Sequence, residues 1–198
     1  LPKYRGAAPI QRSIIDGREK TGIPLMEMVD EMDAGTMYDK VECAIASIDN
    51  YTTLNEKLGD LAAELIKKDL LPYVNGELKG EEQNKELVTF AAKILPSDER
   101  IDINLDSKNI VNLLRGLSLT PGGYFMFEGK KLKVFSAHMF SNEILGEVGE
   151  IIPNKKLLLV QLKDGILSLD SVQYEGKKKM DGVSFKNGAP LQPHAKLD

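Results

Sequence analysis

Leu1-Pro2-Lys3-Tyr4-Arg5-Gly6-Ala7-Ala8-Pro9-Ile10-Gln11 and, further along, Met32-Asp33-Ala34-Gly35 decide how this chain is read. Ala8 to Ile15 carries apolar residues at helical spacing and stops at Asp16-Gly17. Gly22 to Val29 is apolar with strand character, and Leu25 to Val29 is expected to form the strand. Asp30 to Gly35 reads as a turn. Met37 to Ile45 then alternates, with Val41, Cys43 and Ile45 on one face and Lys40, Glu42 and Ala44 on the other, the period-two mark of a half-exposed strand. Asp33 thus stands in a turn between two strands. Gly35 is free to take a positive φ, which would let the chain double back and present the carboxylate at a strand end. Ligand sites of open α/β sheets lie outside such ends. Taken alone, an Asp before a small residue and Gly is an ordinary turn former.

Downstream, Thr53-Leu54-Asn55-Glu56 has the form of a capping box. Leu54, Leu58, Leu61 and Leu65 follow on one helix face, and Pro72 with Asn75-Gly76 is expected to end the helix. Gly76 to Lys85 is polar and punctuated by Gly. The expected organisation is therefore a first domain over 1–75, a linker over 76–85 and a second domain over 86–198. In the latter, Ser107 is expected to cap a helix running to Leu117, with Ile110, Leu113, Leu114 and Leu117 buried. Tyr124–Phe127 and Leu132–Ala137 flank Glu128-Gly129-Lys130. Leu157–Leu162 and Ile166–Val172 flank Lys163-Asp164-Gly165, and both arrangements signal hairpins. Gly146 to Ile152 supplies one more expected strand. The fold class is α/β, followed by a small, partly open β-barrel of the oligonucleotide-binding (OB) type.

The longest aliphatic run is Leu157 to Val160, far short of the roughly 18 apolar residues of a membrane span, so no membrane partner is expected. The single Cys43 excludes an internal disulfide framework and fits a reducing cytoplasm. Residues 1–85 hold 11 Lys and Arg against 16 Asp and Glu, a net of -5; residues 86–198 hold 15 against 14, a net of +1. If the partner is RNA, local lysine clusters must attract it, not the whole-chain charge. His138 and His194 have no Cys or carboxylate cluster at ligand spacing, so no metal is expected.

Arg5-Gly6-Ala7-Ala8-Pro9-Ile10-Gln11 followed by the Asp33-Ala34-Gly35 turn resembles the methionyl-tRNA formyltransferase family. The likeness extends through Thr21-Gly22, Glu86-Leu87-Val88-Thr89-Phe90-Ala91, Glu99-Arg100-Ile101-Asp102 and Gly176-Lys177-Lys178-Lys179-Met180. It implies a partial Rossmann-like formyltransferase domain and a C-terminal tRNA-binding domain. It also implies transfer of a formyl group from 10-formyltetrahydrofolate to the amino group of initiator methionyl-tRNA, by a cytoplasmic, monomeric enzyme of translation initiation. In the family an Asn and a His contact the formyl group, and an Asp pairs with the His. Asp33 matches that Asp. The Asn and His would precede Leu1, so the chain is expected to be a C-terminal portion, inactive alone.

By the same resemblance, Leu1 and Pro2 match the end of a folate-contacting segment. Lys177, Lys178 and Lys179, with Lys130, Lys131 and Lys133, are the expected tRNA contacts, suited to phosphate as point charges. There are departures: the family turn continues Gly-Asp where this chain has Gly35-Thr36, a family Trp-bearing segment appears as Leu119-Thr120-Pro121-Gly122, and the chain has no Trp. Two alternatives stand beside this reading. One is a catalytically inactive tRNA-binding fragment. The other is a formyltransferase for a nucleotide-sugar amine, against which Ala7 speaks, because that branch carries Arg there.

Overall fold

Pro9 opens helix α1 (Pro9–Ile15), where its missing N–H costs nothing and its fixed φ suits the first helical position. In this computed structural model, which describes residues 1–189, 191–192 and 194–198, the chain divides into two units, Leu1–Ile94 and Leu95–Asp198.

In the first unit, strand β1 (Lys20–Met26) pairs antiparallel with β2 (Met37–Ala44), Lys20 opposite Ala44 and Leu25 opposite Asp39. The strand expected at Leu25–Val29 lies earlier, because the register shifts between Leu25 and Met26 and Glu27 onward leaves the ladder. In β2 the alternation holds: Lys40, Glu42 and Ala44 are exposed, while Val41 and Cys43 are half-buried. Helix α2 (Tyr51–Val74) begins earlier than Thr53. Asn50 Oδ1 accepts from the N–H groups of Thr52 (2.9 Å) and Thr53 (3.2 Å), and Thr53 Oγ1 accepts from Asn50 N–H (3.0 Å), so the capping box is Asn50/Thr53. The helix continues through Pro72 to Val74. Leu54 and Leu58 close on Ile14, with Ile10, Ile23, Cys43 and Ile45 packed around them. Burial pushes the Cys43 thiol up from its ordinary value.

The stretch expected as a linker folds back onto this unit. Glu81 exchanges two backbone hydrogen bonds with Met37 (2.9 and 2.7 Å). Arg5 N–H donates to Thr89 O (2.9 Å), and Ala91 N–H donates to Arg5 O (2.7 Å). The division between units accordingly falls at Ile94/Leu95.

In the second unit, β3 (Gly123–Phe127), β4 (Lys130–Ser141), β5 (Ile151–Ile152), β6 (Leu159–Leu162) and β7 (Gly165–Tyr174) form one antiparallel sheet in the order β3-β4-β7-β6-β5. Strand β8 (Met180–Asp181) lies beside β7. Positive φ at Glu128 and Gly129 makes the tight β3–β4 turn. Of the strand expected over Gly146–Ile152, only Ile151–Ile152 is in the ladder. Helix α3 (Ser107–Gly116) buries Ile110 and Leu114, Leu117 just beyond it is also buried, and Leu113 packs partly. Ser107 is not its cap but its first residue, and the Asp164 carboxylate accepts from its backbone N–H (3.1 and 3.2 Å) and hydroxyl (2.9 Å). The OB-type barrel is not closed by its strands, because the sheet order ends at β3 and β5. Residues 195–198 are hydrogen-bonded to both edges: Asp198 exchanges two bonds with Met126, Ile151 N–H donates to Ala195 O, and Leu197 N–H donates to Gly149 O. Phe125, Phe127, Leu132, Val134, Val160, Leu167 and Val172 fill the core beneath, with α4 (Gly182–Gly188) adding Phe185. Among the described residues no helix is long and apolar enough to cross a membrane.

Candidate active site

The Asp33 turn is built by backbone constraint. Asp33 itself has φ +54°, a left-handed value that Asp tolerates better than most residues. The positive φ expected at Gly35 is therefore carried by the residue two before it. Gly35 is required for another reason: a Cβ there would sit 1.9 Å from Glu27 O. Glu27 N–H donates to Thr36 O (2.9 Å), closing the turn's neck.

The Asp33 carboxylate is aimed by the other half of the opening motif. Gly6 N–H donates to Asp33 Oδ2 at 2.7 Å. Gly6 holds φ +124°, and a Cβ on it would lie 2.8 Å from Ala91 O, so a side chain there would clash with the backbone it rests on. Neighbouring Arg5 is buried, and its guanidinium is shared between the Gln83 side-chain oxygen (3.2 and 2.9 Å) and Glu31 (3.0 Å). Gln83 in turn donates to the carbonyls of Asp33 and Gly35, both at 2.8 Å. Arg5, Glu31, Gln83 and the Ala34-Gly35 end of the turn line a cleft of about 720 Å³, edged also by Thr36 and Lys85.

Leu1 and Pro2 are half-buried and joined by a cis peptide bond.

The lysines gather in the second unit. The pairing of Leu132 with Tyr174 brings the β3–β4 turn and the turn after β7 to the same end of the sheet, and Glu175 N–H donates to Lys131 O (2.9 Å). Lys130, Lys131, Lys177, Lys178 and Lys179 are all exposed there. Lys131 Nζ stands 4.3 Å over the Tyr124 ring and Lys179 Nζ 4.3 Å over Phe135. Lys133 is instead spent on Glu99 (3.3 Å). Phe125 and Phe127 are buried and serve the core. His138 and His194 contact Asp170 (2.8 Å) and Glu150 (2.7 Å). No cluster of three metal-ligating side chains occurs among the described residues.

Arg5, Glu31 and Gln83 were not singled out from the sequence. Arg5 carries a signal, a charge set directly before the small residues Gly6-Ala7-Ala8. Gln83 carries none within its polar stretch.

Residues 1–70 match the family described as formyl transferase, and residues 93–190 match the formyl transferase C-terminal domain. The chain belongs to the formyl transferase family. A curated methionyl-tRNA formyltransferase of Streptococcus pyogenes serotype M2 is 40% identical over 189 residues, 95% of this chain and 60% of the relative. The chain spans about 60% of the length of the curated relatives it matches. Among solved structures it is similar to HypX from Aquifex aeolicus in complex with tetrahydrofolic acid, with TM-score 0.76 and 17% identity over 100% of this chain and 37% of that one. It is also similar to WlaRD, a sugar 3N-formyl transferase, with TM-score 0.70 and 18% identity over 90% of this chain and 63% of that one. For a formyl transferase, the residues between the two matched ranges matter here: Gln83, Thr89 and Ala91 lie in them and hold the Asp33 turn.

Proposed function

We propose that the protein takes part in formyl transfer from 10-formyltetrahydrofolate to the amino group of initiator methionyl-tRNA, with Asp33 as its catalytic carboxylate. The observation that carries the reading is the Asp33 carboxylate fixed by Gly6 N–H at 2.7 Å, in a turn whose next residues, Ala34 and Gly35, line the cleft. In the reaction the amine nitrogen attacks the formyl carbon, the bond from that carbon to the folate nitrogen breaks, and the amine proton must leave. One carboxylate oxygen, Oδ2, is tied to the backbone. The other, Oδ1, carries no hydrogen bond among the described residues and is free to hold a proton-carrying partner such as an imidazole. A fixed negative charge there favours the positive charge that develops on that partner and on the attacking nitrogen. By their resemblance to the end of the family's folate-contacting segment, Leu1 and Pro2 would contact the folate.

The second unit is read as the tRNA-holding half, an OB-like sheet presenting Lys130, Lys131 and Lys177–Lys179 to phosphates. In this reading the enzyme works in the cytoplasm as a monomer and needs no metal. The names of the curated relatives and Ala7 support tRNA as the acceptor. The test is Asp33→Asn in the protein expressed from its complete reading frame, assayed with methionyl-tRNA and with an amino sugar nucleotide. Turnover on methionyl-tRNA should fall by about 10²- to 10⁴-fold, the range for a lost acid–base group. Retention of near-full turnover would sink the catalytic role. Turnover of the sugar alone would move the assignment to the nucleotide-sugar branch.

A further inference from the structure

We propose that Gln83 is the positioning residue of the Asp33 turn, a role that rests on the reading of Asp33 as the catalytic carboxylate. All hydrogen-bonding capacity of its amide is used, and it is used on one small region. The two N–H groups go to Asp33 O and Gly35 O, each at 2.8 Å. The oxygen takes Arg5 Nε at 3.2 Å and the Arg5 terminal nitrogen at 2.9 Å. A primary amide offers two donors and an oxygen with two lone pairs, so this is full occupancy. The partners also fix which way round the amide lies, since the reverse would set its NH₂ against a guanidinium and its oxygen against two carbonyls.

Asp33 is gripped at both ends as a result. Its carboxylate is held by Gly6 N–H, and its own carbonyl by Gln83. Both grips return to one place, because Gly6 follows Arg5, and the Arg5 backbone is fixed between Thr89 and Ala91. A positive φ at a residue other than glycine persists where its surroundings over-determine it, and such residues cluster at functional sites. Gln83 supplies that over-determination. Glu, Lys and Met would not do the same work there. Glu would keep Arg5 but offers no donor to the carbonyls when ionised; Lys would face the guanidinium with a like charge; Met would satisfy neither side.

The discriminating variants are Gln83→Glu, which keeps the Arg5 clamp and loses the carbonyl anchors, and Gln83→Met, which loses both without adding charge. The Gly6 backbone amide is the local reporter, because its ¹⁵N–¹H resonance follows the carboxylate it donates to. In both variants its pH-dependent displacement should largely disappear and its hydrogen exchange should speed by about tenfold, with the melting transition retained. The kcat for formyl transfer should fall on the order of 100-fold, the scale of an ångström-level misplacement, with KM held within about threefold. An unchanged Gly6 resonance in both variants would overturn the proposal, as would unchanged kcat alongside an inactive Asp33→Asn. Unfolding of both would overturn it too, by making Gln83 a support of the whole unit. If Asp33→Asn is itself active, the functional reading fails, and the Gly6 resonance still decides whether Gln83 holds the turn.

Discussion

Gly35→Ala should cost both stability and turnover, by amounts that follow from one contact. The added Cβ would lie 1.9 Å from Glu27 O and 2.8 Å from Glu27 C, whereas real Cβ atoms essentially never come closer than 3.0 Å. The backbone must therefore open by 1.1 Å, the difference between 3.0 and 1.9 Å. The obstacle is main chain, so no side-chain rotation relieves it. Gly35 does not have a left-handed φ, so overpacking alone sets the penalty, about 1–3 kcal/mol. For a unit of this size that is a fall in Tm of ~4 °C or more. The shift acts between Glu27 and the carbonyl that Gln83 holds, so Asp33 moves with it, and kcat should drop on the order of 100-fold. Gly59→Ala is the matched control. It lies inside α2, where an added methyl would meet nothing within 4 Å, and it should gain about 0.5–1 kcal/mol. Thermal melting and urea titration give the stabilities, and steady-state formyl transfer gives kcat. A Gly35→Ala protein as stable and as active as the parent would refute the claim that close approach at Glu27 builds the turn.

Two further outcomes concern charge. Asp69 is buried on α2, its Oδ2 has no hydrogen-bond partner among the described residues, and its carboxyl is pushed up first by burial and then by Asp39 on β2, while Lys68 opposes. A raised folded pKa contributes stability that is present below the unfolded carboxylate value and is lost as pH rises through the folded value. Asp69→Asn, which stays neutral, should therefore gain urea resistance relative to the parent from about pH 4 towards neutrality, the region above the ordinary carboxylate pKa; a difference independent of pH would contradict this. Replacing Lys130, Lys131, Lys177, Lys178 and Lys179 with Gln should flatten the plot of log affinity for tRNA against log salt, by about one unit of slope per lysine that meets a phosphate. An unchanged slope would remove those lysines from the RNA contact.

The parts of the fold that were legible in the sequence are those set by local pattern. Leu54, Leu58 and Ile14 meet because helical spacing puts them on facing sides, and the β3–β4 hairpin follows from Glu128-Gly129. The misplaced cap shows where pattern is ambiguous. Asn50-x-x-Thr53 and Thr53-x-x-Glu56 both offer a capping arrangement. Tertiary context favours the earlier one: buried Asp49 accepts from Ala46 N–H (2.7 Å), Lys57 Nζ (2.7 Å) and the Thr53 hydroxyl (3.3 Å), drawing Thr53 into the first turn. Partial opening was expected, but the strand order and what lies between its two edges were illegible for a related reason. Hairpins fix register between neighbours, but whether the outer strands meet depends on residues 195–198, whose sequence has no strand period.

The candidate site divides along the same line. Asp33 could be singled out because a turn between two strands is a local pattern, and its importance came from resemblance. Its supports could not, because they are single pairings over long separations: Arg5 with Thr89 and Ala91, Arg5 with Gln83, Gln83 with Asp33 and Gly35. None repeats along the chain, so none leaves a period to read. The polar composition of Gly76–Lys85 argued for a linker because solvent-exposed connectors are polar. The same composition serves equally well for a segment whose one buried amide holds a turn. In the structure the first unit runs on to Ile94. The carboxylate is contributed before residue 75, but the groups that aim it lie after it, and a polar stretch with a single buried glutamine is where such a support can be sought.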